Sequence, residues 1–468
     1  MTKTKILATL GPASFERTEE LIKAGADGFR FNMAHVVKPE DYARTADLIK
    51  KIRSLDEKIF ISTDLEGPKI RLGNFETLNV KIGDSVPIAP LLDYSHGKGI
   101  PIGFDLYKFV KGGELLLVDD GKVGLRIKSV DDKTINSVVE YGEVLESRKG
   151  INTPGVSIEM PYLSPRDAAS LKFIAENDFD YVFASFTRSA KDIQEVRSYL
   201  KDSKVKVGGK PENHEGAKNL YEIVREADIM MVPRGDWGME MGVMNIPALQ
   251  KDLIRACNLE GKAVITATQM LESMMTSKEP KRAEVSDIFN ANLDGTDVVM
   301  LSGETSKGLY PVESVKMMDR ILEESEKYMF ENSTLSENLF NQIPNGDVSS
   351  TIYKAVYTAA KSPSVKAIIV PTSRGTTARM IARFRINKPV IAISPNKRVS
   401  SQLNALWGVS PLFTEYYGSA SQDFIVNRSI KLAKDNGYIS SGDNVIITLG
   451  IGSYEKGATN MMRIERVE

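Results

Sequence analysis

The chain has 468 residues, with 61 Lys plus Arg against 62 Asp plus Glu and a formal net charge of −1. This balance excludes a protein that coats a nucleic acid, so an anionic ligand has to meet a local cluster of basic side chains. At ~150 residues per domain, the length predicts about three domains. The single cysteine, Cys257, cannot form an intramolecular disulfide. With no signal-peptide pattern and no apolar run of the ~20 residues that span a membrane, we expect a cytoplasmic chain without a membrane partner.

Short β-type runs recur along the chain, and most of them precede a stretch with helical periodicity. Eight parallel strands close a (β/α)₈ barrel, so a count of eight predicts this fold. The eight runs are KTKILATLG, DGFRFNMAH, KIFISTDLEG, YVFASFT, KVKVGGKPE, ADIMMVPRGD, AVITATQM and DVVMLSGET.

The spacing of these runs predicts an insertion in the barrel. It is measured from one polar residue near the end of each run: Thr9, Asn32, Asp64, Ser185, Lys210, Asp236, Thr268 and Ser302. The steps between them are 23, 32, 121, 25, 26, 32 and 34 residues. Six steps fit one βα unit, and the third step carries roughly 90 surplus residues. A small domain is therefore predicted after the third strand.

Three domains follow from this spacing. We expect the catalytic barrel at 1–69 and 155–335, and an inserted all-β lid at 70–154, where strand-like stretches such as ELLLVDDGKVGLRIKSV alternate with turn signals. Residues 331–350 are rich in Asn, Ser, Gly and Pro, which is typical of a linker. From 345 to 468, helical and strand patterns alternate, which predicts a C-terminal α/β domain with an open sheet.

Two of the runs end with charged residues that lie two positions apart in the sequence. Side chains two residues apart on a strand point to the same face. Lys210 and Glu212 in KPE, and Arg234 and Asp236 in RGD, are therefore expected to project in pairs. Two carboxylates without a neighbouring Cys suit a hard cation such as Mg²⁺. The alternative for either motif alone is an ordinary ion pair.

Further groups near these strand ends suit an anionic substrate. A helix is expected to begin close to RGD, so the backbone N–H groups of Gly235 and Asp236 could hold a small carboxylate. Thr268 in ATQM offers a hydroxyl that could bind or relay a proton, the alternative being a helix cap or a core threonine. Basic side chains at these rims and beside the lid indicate a phosphorylated substrate: Arg30, Arg71, Lys149, Lys210 and Arg234.

Long ordered motifs in this chain resemble those of the pyruvate kinase family. They are GGKPENHEG, MVPRGDWGMEM, ITATQMLESM, KRAEVSDIFNANLDGTDVVMLSGETSKG and SRKGINTPG. The resemblance covers nearly the whole chain. It implies the barrel, the lid and the C-terminal effector domain, and the transfer of a phosphoryl group from phosphoenolpyruvate to ADP. It also implies a homotetramer and a requirement for Mg²⁺ or Mn²⁺.

The resemblance also implies roles for individual residues. Glu212 and Asp236 would bind the divalent ion, and Lys210 would sit beside the bridging oxygen. Substrate binding falls to Arg30, Lys210, Gly235, Asp236 and Thr268. Lys210 and Arg30 would also act in catalysis, and Thr268 and Ser302 would deliver the proton to the enolate carbon. The nucleotide-side residues are His35, Arg71, Lys149, Asp119 and Asp120.

One strand end departs from the common form of the family. Asn32, Asp64 and Lys69 fall in the segments that form the K⁺ site of potassium-dependent members, where Lys69 replaces a glutamate. A fixed ammonium can fill the electrostatic role of K⁺. We therefore expect that K⁺ is not required, as in the potassium-independent branch. The alternative is that Lys69 merely pairs with Glu66 on the loop surface.

A loop in the C-terminal domain resembles the place where the family binds phosphorylated allosteric effectors. Its residues are Thr372, Ser373, Arg374, Gly375, Thr376 and Thr377. Hydroxyls and backbone N–H groups at the start of the following helix could hold a phosphate, the alternative being a simple helix cap. Two rival functions stay open, namely another Mg²⁺-dependent barrel enzyme acting on pyruvate or phosphoenolpyruvate, and an inactive effector-binding paralogue.

Overall fold

A computed structural model describes residues 2–91, 99–201, 203–344, 346–415, 421–450 and 459–468. The first barrel strands are β1 (Lys5–Thr9), β2 (Gly28–Asn32) and β3 (Phe60–Asp64). The strands of the lid are β4 (Ile70–Arg71), β5 (Leu78–Asn79), β6 (Ser85–Pro90), β7 (Ile100–Ile102), β8 (Leu115–Val118), β9 (Val123–Asp131), β10 (Thr134–Tyr141), β11 (Val144–Leu145) and β12 (Gly150–Asn152). The barrel continues with β13 (Tyr181–Ala184), β14 (Lys206–Gly209), β15 (Ile229–Pro233), β16 (Ala263–Ala267) and β17 (Val298–Leu301). The C-terminal strands are β18 (Val365–Pro371), β19 (Val390–Ser394), β20 (Val409–Phe413), β21 (Asn444–Leu449) and β22 (Met461–Arg466).

The helices lie mainly between these strands. Those of the barrel region are α1 (Thr18–Ala24), α2 (Pro39–Leu55), α3 (Pro165–Glu176), α4 (Ala190–Tyr199), α5 (His214–Lys218), α6 (Leu220–Glu226), α7 (Arg234–Glu240), α8 (Ile246–Glu260), α9 (Arg282–Asp294), α10 (Gly303–Ser306) and α11 (Pro311–Asn332). The remaining helices are α12 (Leu335–Gln342), α13 (Val348–Ala360), α14 (Thr376–Ala382), α15 (Lys397–Leu403) and α16 (Gln422–Asp435).

All eight predicted strands join one closed parallel barrel in the order β1-β17-β16-β15-β14-β13-β3-β2. Strands of such a barrel are buried on both faces, which explains why they stand out as continuous apolar runs. Every residue of β1, β3, β15 and β16 is buried. The predicted barrel is confirmed, and its strand ends bring the predicted side chains to one mouth.

Four aspartates hold the opposite end of the barrel together. Each comes directly before a barrel strand, and its carboxylate accepts a backbone N–H from the preceding strand of the barrel. The pairs are Asp27 with Ile6 at 2.9 Å, Asp180 with Ile61 at 2.8 Å, Asp228 with Val207 at 3.0 Å, and Asp297 with Val264 at 3.1 Å. We call this end the barrel floor. The bonds recur at every second strand and satisfy amides that would otherwise begin a strand without a partner.

The inserted residues form a sheet of their own. Seven strands pair in the order β4-β12-β8-β9-β10-β6-β7, and β5 pairs with β11. Their apolar side chains make a core that is separate from the barrel core. The C-terminal sheet has the order β20-β19-β18-β21-β22, with β22 as an antiparallel edge. The open α/β sheet expected from the sequence is present.

One expectation about the connection was wrong in part. The stretch 331–350, interpreted as a linker, contains helix α12. Leu339 of this helix and Ile343 just after it are buried in a cluster with C-terminal residues such as Phe384. Polar residues dominate the stretch, so two buried apolar positions in one short helix left little signal in its composition.

A buried arginine joins the C-terminal domain to the barrel floor. The guanidinium of Arg385 donates to Asp297 Oδ1 at 2.7 Å and to Asn258 Oδ1 at 2.7 Å, and its side chain is only 1% exposed. Asp297 also accepts the backbone N–H of Trp407 at 3.1 Å. The carboxylate therefore links two barrel strands to two segments of the C-terminal domain.

Arg385→Met is expected to lower the free energy of unfolding by about 3–5 kcal/mol, because it leaves the buried carboxylate of Asp297 without its cation. The measurement is the midpoint of thermal denaturation. Arg463→Met is the matched control, since Arg463 is an exposed arginine paired with Glu465. A fall in midpoint no larger for Arg385→Met than for this control would contradict the assignment.

Candidate active site

Asp64, at the end of β3, is the centre of the charged cluster at the barrel mouth. Arg30 from β2 donates to both of its oxygens, with Nε–Oδ1 and Nη2–Oδ2 distances of 2.9 Å. Lys210, which follows β14, donates from Nζ to Oδ2 at 3.0 Å. The Asp64 side chain is only 3% exposed. One buried carboxylate therefore orients both cations that were predicted to bind substrate.

The opposite charges of this cluster stabilise one another. Burial would raise the pKa of Asp64, but Arg30 and Lys210 lower it to about 2. Burial would lower the pKa of Lys210, but Glu212 and Asp64 raise it above its ordinary value. Lys210 also donates to Ser185 Oγ at 3.1 Å and contacts Glu212 Oε1 at 2.8 Å. Three neighbours thus hold the ammonium in place, and the carboxylates of Glu212 and Asp64 keep it charged. The predicted pairing of Lys210 with Glu212 is found.

Glu212 and Asp236 bring two carboxylates together beside Lys210. Burial and the neighbouring carboxylate of Glu212 raise the pKa of Asp236 to about 8. The other oxygen of Glu212 accepts the backbone N–H of Phe186 at 2.5 Å. A divalent cation would relieve the crowding of two negative groups, so these donors fit Mg²⁺ or Mn²⁺. Among the described residues, no group of three or more His, Cys, Asp or Glu side chains could hold a metal.

Arg234 and Asp236 do not project together, although their two-residue spacing in the sequence predicted that they would. Strand β15 ends at Pro233 and helix α7 begins at Arg234, so the two-residue period of a strand no longer applies. The Arg234 guanidinium turns toward the next loop, where Nε donates to the carbonyl of Ala267 at 2.9 Å and Nη1 contacts Asp287 at 2.6 Å. Its role in the structure is to hold the turn after β16.

The turn after β16 is strained at Thr268. This residue has φ 67°, a left-handed conformation that β-branched side chains rarely adopt. Arg234 donates to its carbonyl oxygen. A Cβ placed on Gly235 would lie 3.9 Å from Thr268 Oγ1, so this hydroxyl lies close to the first turn of α7. That turn has no side-chain cap, which leaves its backbone N–H groups open to a ligand.

Thr268 and Ser302 share an unusual feature. Their hydroxyl oxygens are buried and have no hydrogen-bond partner within the described part of the chain. Buried hydroxyls are normally paired. Glu304 positions both loops, since its oxygens accept the backbone N–H of Leu271 at 3.0 Å and of Ser302 at 2.7 Å.

Two of the residues predicted to face a nucleotide, Asp119 and Asp120, lie on the turn between β8 and β9. Asp119 and Asp120 both have positive φ there. Asp119 contacts Lys149 at 3.1 Å, and Lys149 also pairs with Glu146 at 2.8 Å. Lys69 reaches this turn from the barrel, with its Nζ 3.5 Å from Asp120 Oδ1. The ammonium of Lys69 thus lies between the lid and the barrel mouth.

Glu66 is paired with arginines and not with Lys69. Its oxygens contact Arg71 at 2.6 Å and Arg166 at 3.0 Å. The sequence alternative of a Lys69–Glu66 surface pair is therefore not found in the described structure. Lys69 lies over the ring of Phe186 at 5.7 Å. Its positive charge also acts on the carboxyl group of Asp236.

His35 and Asn32, the other two predicted residues of this region, lie at the rim of the barrel mouth. His35 is exposed at the end of a short 3₁₀ turn (Met33–His35), and partial desolvation of its ring together with Lys307 and Arg30 lowers its pKa. Asn32 caps this turn, because its side chain accepts the backbone N–H of Ala34 at 3.0 Å. A cavity of about 430 Å³ opens between lid and barrel beside Lys69.

The loop 372–377, where the sequence predicts an effector site, lies in the C-terminal domain, next to the barrel floor. Thr372 Oγ1 accepts the backbone N–H of Gly375 at 2.9 Å, and Thr377 Oγ1 is 2.7 Å from Thr459 Oγ1. These two hydroxyls are used within the protein. Ser373 and Arg374 are both exposed, and Arg374 and Thr376 also line a cavity on the side that faces the barrel.

Sequence reasoning missed several residues that position this site. Asn152 at the end of β12 donates to Glu240 of α7 at 2.8 Å and so joins lid to barrel. Ser185 had been recognised only as a strand end, without its contact to Lys210. Its place at the end of a barrel strand was a usable signal, because such positions face the site. Nothing in the local pattern around Asn152 pointed to its partner.

Thr268→Gly is expected to stabilise the protein by about 1 kcal/mol, because glycine adopts positive φ without strain and the substitution removes an unpaired buried hydroxyl. The thermal midpoint measures this. Thr276→Gly serves as control, since Thr276 has φ −128° and should gain nothing. If Thr268→Gly melted below the parent protein while the control did not, the strain would not be real.

Comparisons with known proteins point to one family along nearly the whole chain. The family description "Pyruvate kinase, barrel domain" matches residues 1–315, and "Pyruvate kinase, alpha/beta domain" matches residues 350–465. A pyruvate kinase of Clostridium acetobutylicum is 38% identical over 100% of both chains. Pyruvate kinases of Lactobacillus delbrueckii subsp. bulgaricus and Staphylococcus aureus are each 37% identical, over 99% and 100% of this chain and 80% and 81% of their own lengths. No helix within the described residues is long and apolar enough to cross a membrane.

Proposed function

Because this chain belongs to the pyruvate kinase family, which transfers the phosphoryl group of phosphoenolpyruvate to ADP, we propose that the cluster around Asp64 carries out this reaction. The observation that supports it most is the convergence of Arg30, Lys210, Glu212 and Asp236 at one barrel mouth. These side chains come from three strand ends, those of β2, β14 and β15, and Asp64 adds the end of β3. Such convergence is the usual design of an active site in this fold.

Phosphoenolpyruvate is proposed to bind by its two anionic ends. Arg30 and Lys210 face the phosphate, and each is already held in place by Asp64. The substrate carboxylate is placed at the first turn of α7, which has no side-chain cap, so that the N–H groups of Gly235 and Asp236 can donate to it. Thr268 borders this turn and completes the substrate site.

Glu212 and Asp236 are proposed to hold the divalent ion that pyruvate kinases generally require. When bound, Mg²⁺ or Mn²⁺ supplies positive charge that polarises phosphoryl oxygens. The raised pKa of Asp236 without a cation supports this pairing of the two carboxylates. Two protein ligands leave the other positions of a hard cation to substrate and water oxygens.

Phosphoryl transfer depends mainly on positioning and on neutralising charge. In the proposed step, Arg30 and the ammonium of Lys210 neutralise the phosphoryl group as it moves to ADP. Lys210 also faces the enolate oxygen that the departing group leaves behind. Because Asp64, Ser185 and Glu212 orient this ammonium beforehand, little reorganisation is needed during the reaction.

Protonation of the enolate carbon is assigned to Thr268 and Ser302, acting through water. An unactivated hydroxyl is a poor acid near neutral pH, so a relay is favoured over direct donation. The support is that both hydroxyls are buried and lack a hydrogen-bond partner among the described residues. Each therefore has donor and acceptor capacity to share with a water.

ADP is proposed to bind between barrel and lid, near His35, Arg71, Lys149, Asp119 and Asp120. Arg71 and Lys149 supply positive charge for the phosphates, although both pair with carboxylates in this structure. Binding of the nucleotide would exchange these partners. Movement of the lid over the site would exclude water from the transfer.

Three finer properties are proposals that rest on the family resemblance. We expect a cytoplasmic homotetramer, which light scattering of the purified chain would test. A phosphorylated effector at residues 372–377 would be detected as a change in the phosphoenolpyruvate concentration at half-maximal rate.

The rival barrel-enzyme and inactive-paralogue functions are tested by pyruvate formation with ADP and Mg²⁺ present or omitted, since only a pyruvate kinase needs both.

Lys69 is proposed to replace K⁺. Its ammonium is held at the barrel mouth by Asp120 and Phe186, close enough to act on Asp236. Asp64, which belongs to the K⁺ site of other members, has both oxygens engaged by Arg30. A fixed cation at this position makes a mobile one unnecessary.

Lys210→Met is predicted to lower turnover by about 10²–10³-fold, because a preorganised donor to the transition state is worth roughly 3–4 kcal/mol. Binding of phosphoenolpyruvate, measured by calorimetry, should persist through Arg30. Lys172→Met, on the exposed face of α3, is the control and should keep full activity. Unchanged turnover in Lys210→Met would refute its role.

Lys69→Met is predicted to lower the rate in potassium-free buffer by about tenfold, which corresponds to ~1.4 kcal/mol of transition-state stabilisation. Lys69→Arg keeps the charge and should retain most of the activity. The parent enzyme should show the same rate in K⁺ and in tetramethylammonium chloride. Strong activation of the parent enzyme by K⁺ would contradict this proposal.

A further inference from the structure

A buried hydrogen bond joins the lid to the helix that carries Asp236. Asn152, the last residue of β12, donates from Nδ2 to Oε1 of Glu240 at 2.8 Å, and Glu240 is the last residue of α7. Both residues are buried. Neither has a part in the reaction steps proposed above. The bond lies at the junction of two separate cores, so it affects how the lid is placed on the barrel.

On the lid side, strand β12 connects residues that are proposed to face ADP. It pairs with β4 on one side, where Gly150 lies opposite Arg71. On the other side it pairs with β8, which ends directly before Asp119. The carbonyl oxygen of Gly150 also accepts the backbone N–H of Asp119 at 3.2 Å. A contact that fixes the end of β12 at Asn152 therefore fixes the nucleotide side of the lid.

On the barrel side, helix α7 connects Glu240 with the carboxylates proposed to hold the divalent ion. Asp236 lies in the first turn of this helix, and Glu240 ends it. The indole of Trp237 is fully buried and donates to the carbonyl oxygen of Pro211 at 2.5 Å. Pro211 directly precedes Glu212. The helix is thus fixed to both carboxylates, and Asn152 contacts its far end.

The amide of Asn152 has an oxygen left for a second bond. Its Oδ1 atom is buried and has no hydrogen-bond partner within the described residues, whereas such acceptors are normally paired. Burial raises the pKa of Glu240, Asn152, His214 and Lys69 oppose this rise, and Glu212 adds to it. A neutral carboxyl could donate to Oδ1, and a carboxylate would still accept the bond from Nδ2. Glutamine at position 240 offers the same acceptor together with a donor.

From these contacts we propose that Asn152 and Glu240 are positioning residues for phosphoryl transfer, because their hydrogen bond sets the ADP-facing side of the lid relative to helix α7. This inference rests on the proposed function and deepens it. Phosphoenolpyruvate would bind without the pair, since Arg30 and Lys210 are held by Asp64 and not by the lid. Without the pair, ADP would be misplaced relative to the phosphoryl group, which slows the transfer.

The test uses variants on both sides of the bond in the full chain. Glu240→Met and Asn152→Leu remove the bond with apolar side chains of similar size, whereas Glu240→Gln keeps it. Glu159→Met is the matched control, since Glu159 is an exposed glutamate just beyond the lid. Pyruvate formation gives kcat and KM for ADP. Calorimetry with Mg²⁺ and no ADP gives the dissociation constant of phosphoenolpyruvate, and circular dichroism shows that each variant is folded at the assay temperature.

Glu240→Met and Asn152→Leu should each lower kcat/KM for ADP by about tenfold, because a small misplacement slows a reaction that depends on positioning. The double variant should lose no more than either single variant, since both substitutions break one bond. Glu240→Gln and Glu159→Met should keep the parent value. The dissociation constant of phosphoenolpyruvate should be the same in every protein.

Full kcat/KM for ADP in Glu240→Met and Asn152→Leu would overturn the role of the pair, as would a loss in Glu240→Gln as large as that in Glu240→Met. A parallel loss of phosphoenolpyruvate binding would also overturn it, since it would indicate a general structural defect. If Glu240→Met does not fold, Asn152→Leu decides alone. A parent protein that forms no pyruvate from phosphoenolpyruvate and ADP would instead refute the proposed function, and this inference with it.

Discussion

The active-site arrangement depends on the buried carboxylate of Asp64. It is the common partner of Arg30, from β2, and Lys210, which follows β14 three positions further around the barrel. A buried carboxylate is costly unless it is paired, and these two cations lower its pKa to about 2. The same pairing holds Arg30 and Lys210 in the positions where we propose that they meet the substrate phosphate. Glu212 then extends the cluster from Lys210 to Asp236.

The two ends of the barrel use carboxylates in different ways. At the floor, four aspartates accept strand amides and, through Asp297 and Arg385, tie the C-terminal domain to the barrel. These carboxylates accept hydrogen bonds within the fold and serve stability. At the mouth, Glu212 and Asp236 crowd each other, which suits a site that takes up a cation.

Much of the fold was predictable because parallel barrel strands are buried on both faces and leave continuous apolar runs. The Lys210–Glu212 pair was also predictable, since both lie near one strand end. The pairing of Arg234 with Asp236 was not, because the strand ends at Pro233 and a helix begins. The anchoring role of Asp64 was missed because its partner Lys210 is 146 residues away in sequence. The partner of Lys69 likewise lies on the lid, at a turn that no local pattern connects with it.

A crystal structure with phosphoenolpyruvate and Mn²⁺ tests the central claim most directly. The account predicts anomalous density for one Mn²⁺ between the carboxylates of Glu212 and Asp236, with the substrate phosphate in contact with Arg30 and Lys210. Asp64 should still bond both cations in that complex. Substrate bound elsewhere, or a metal ion that contacts neither carboxylate, would contradict the account.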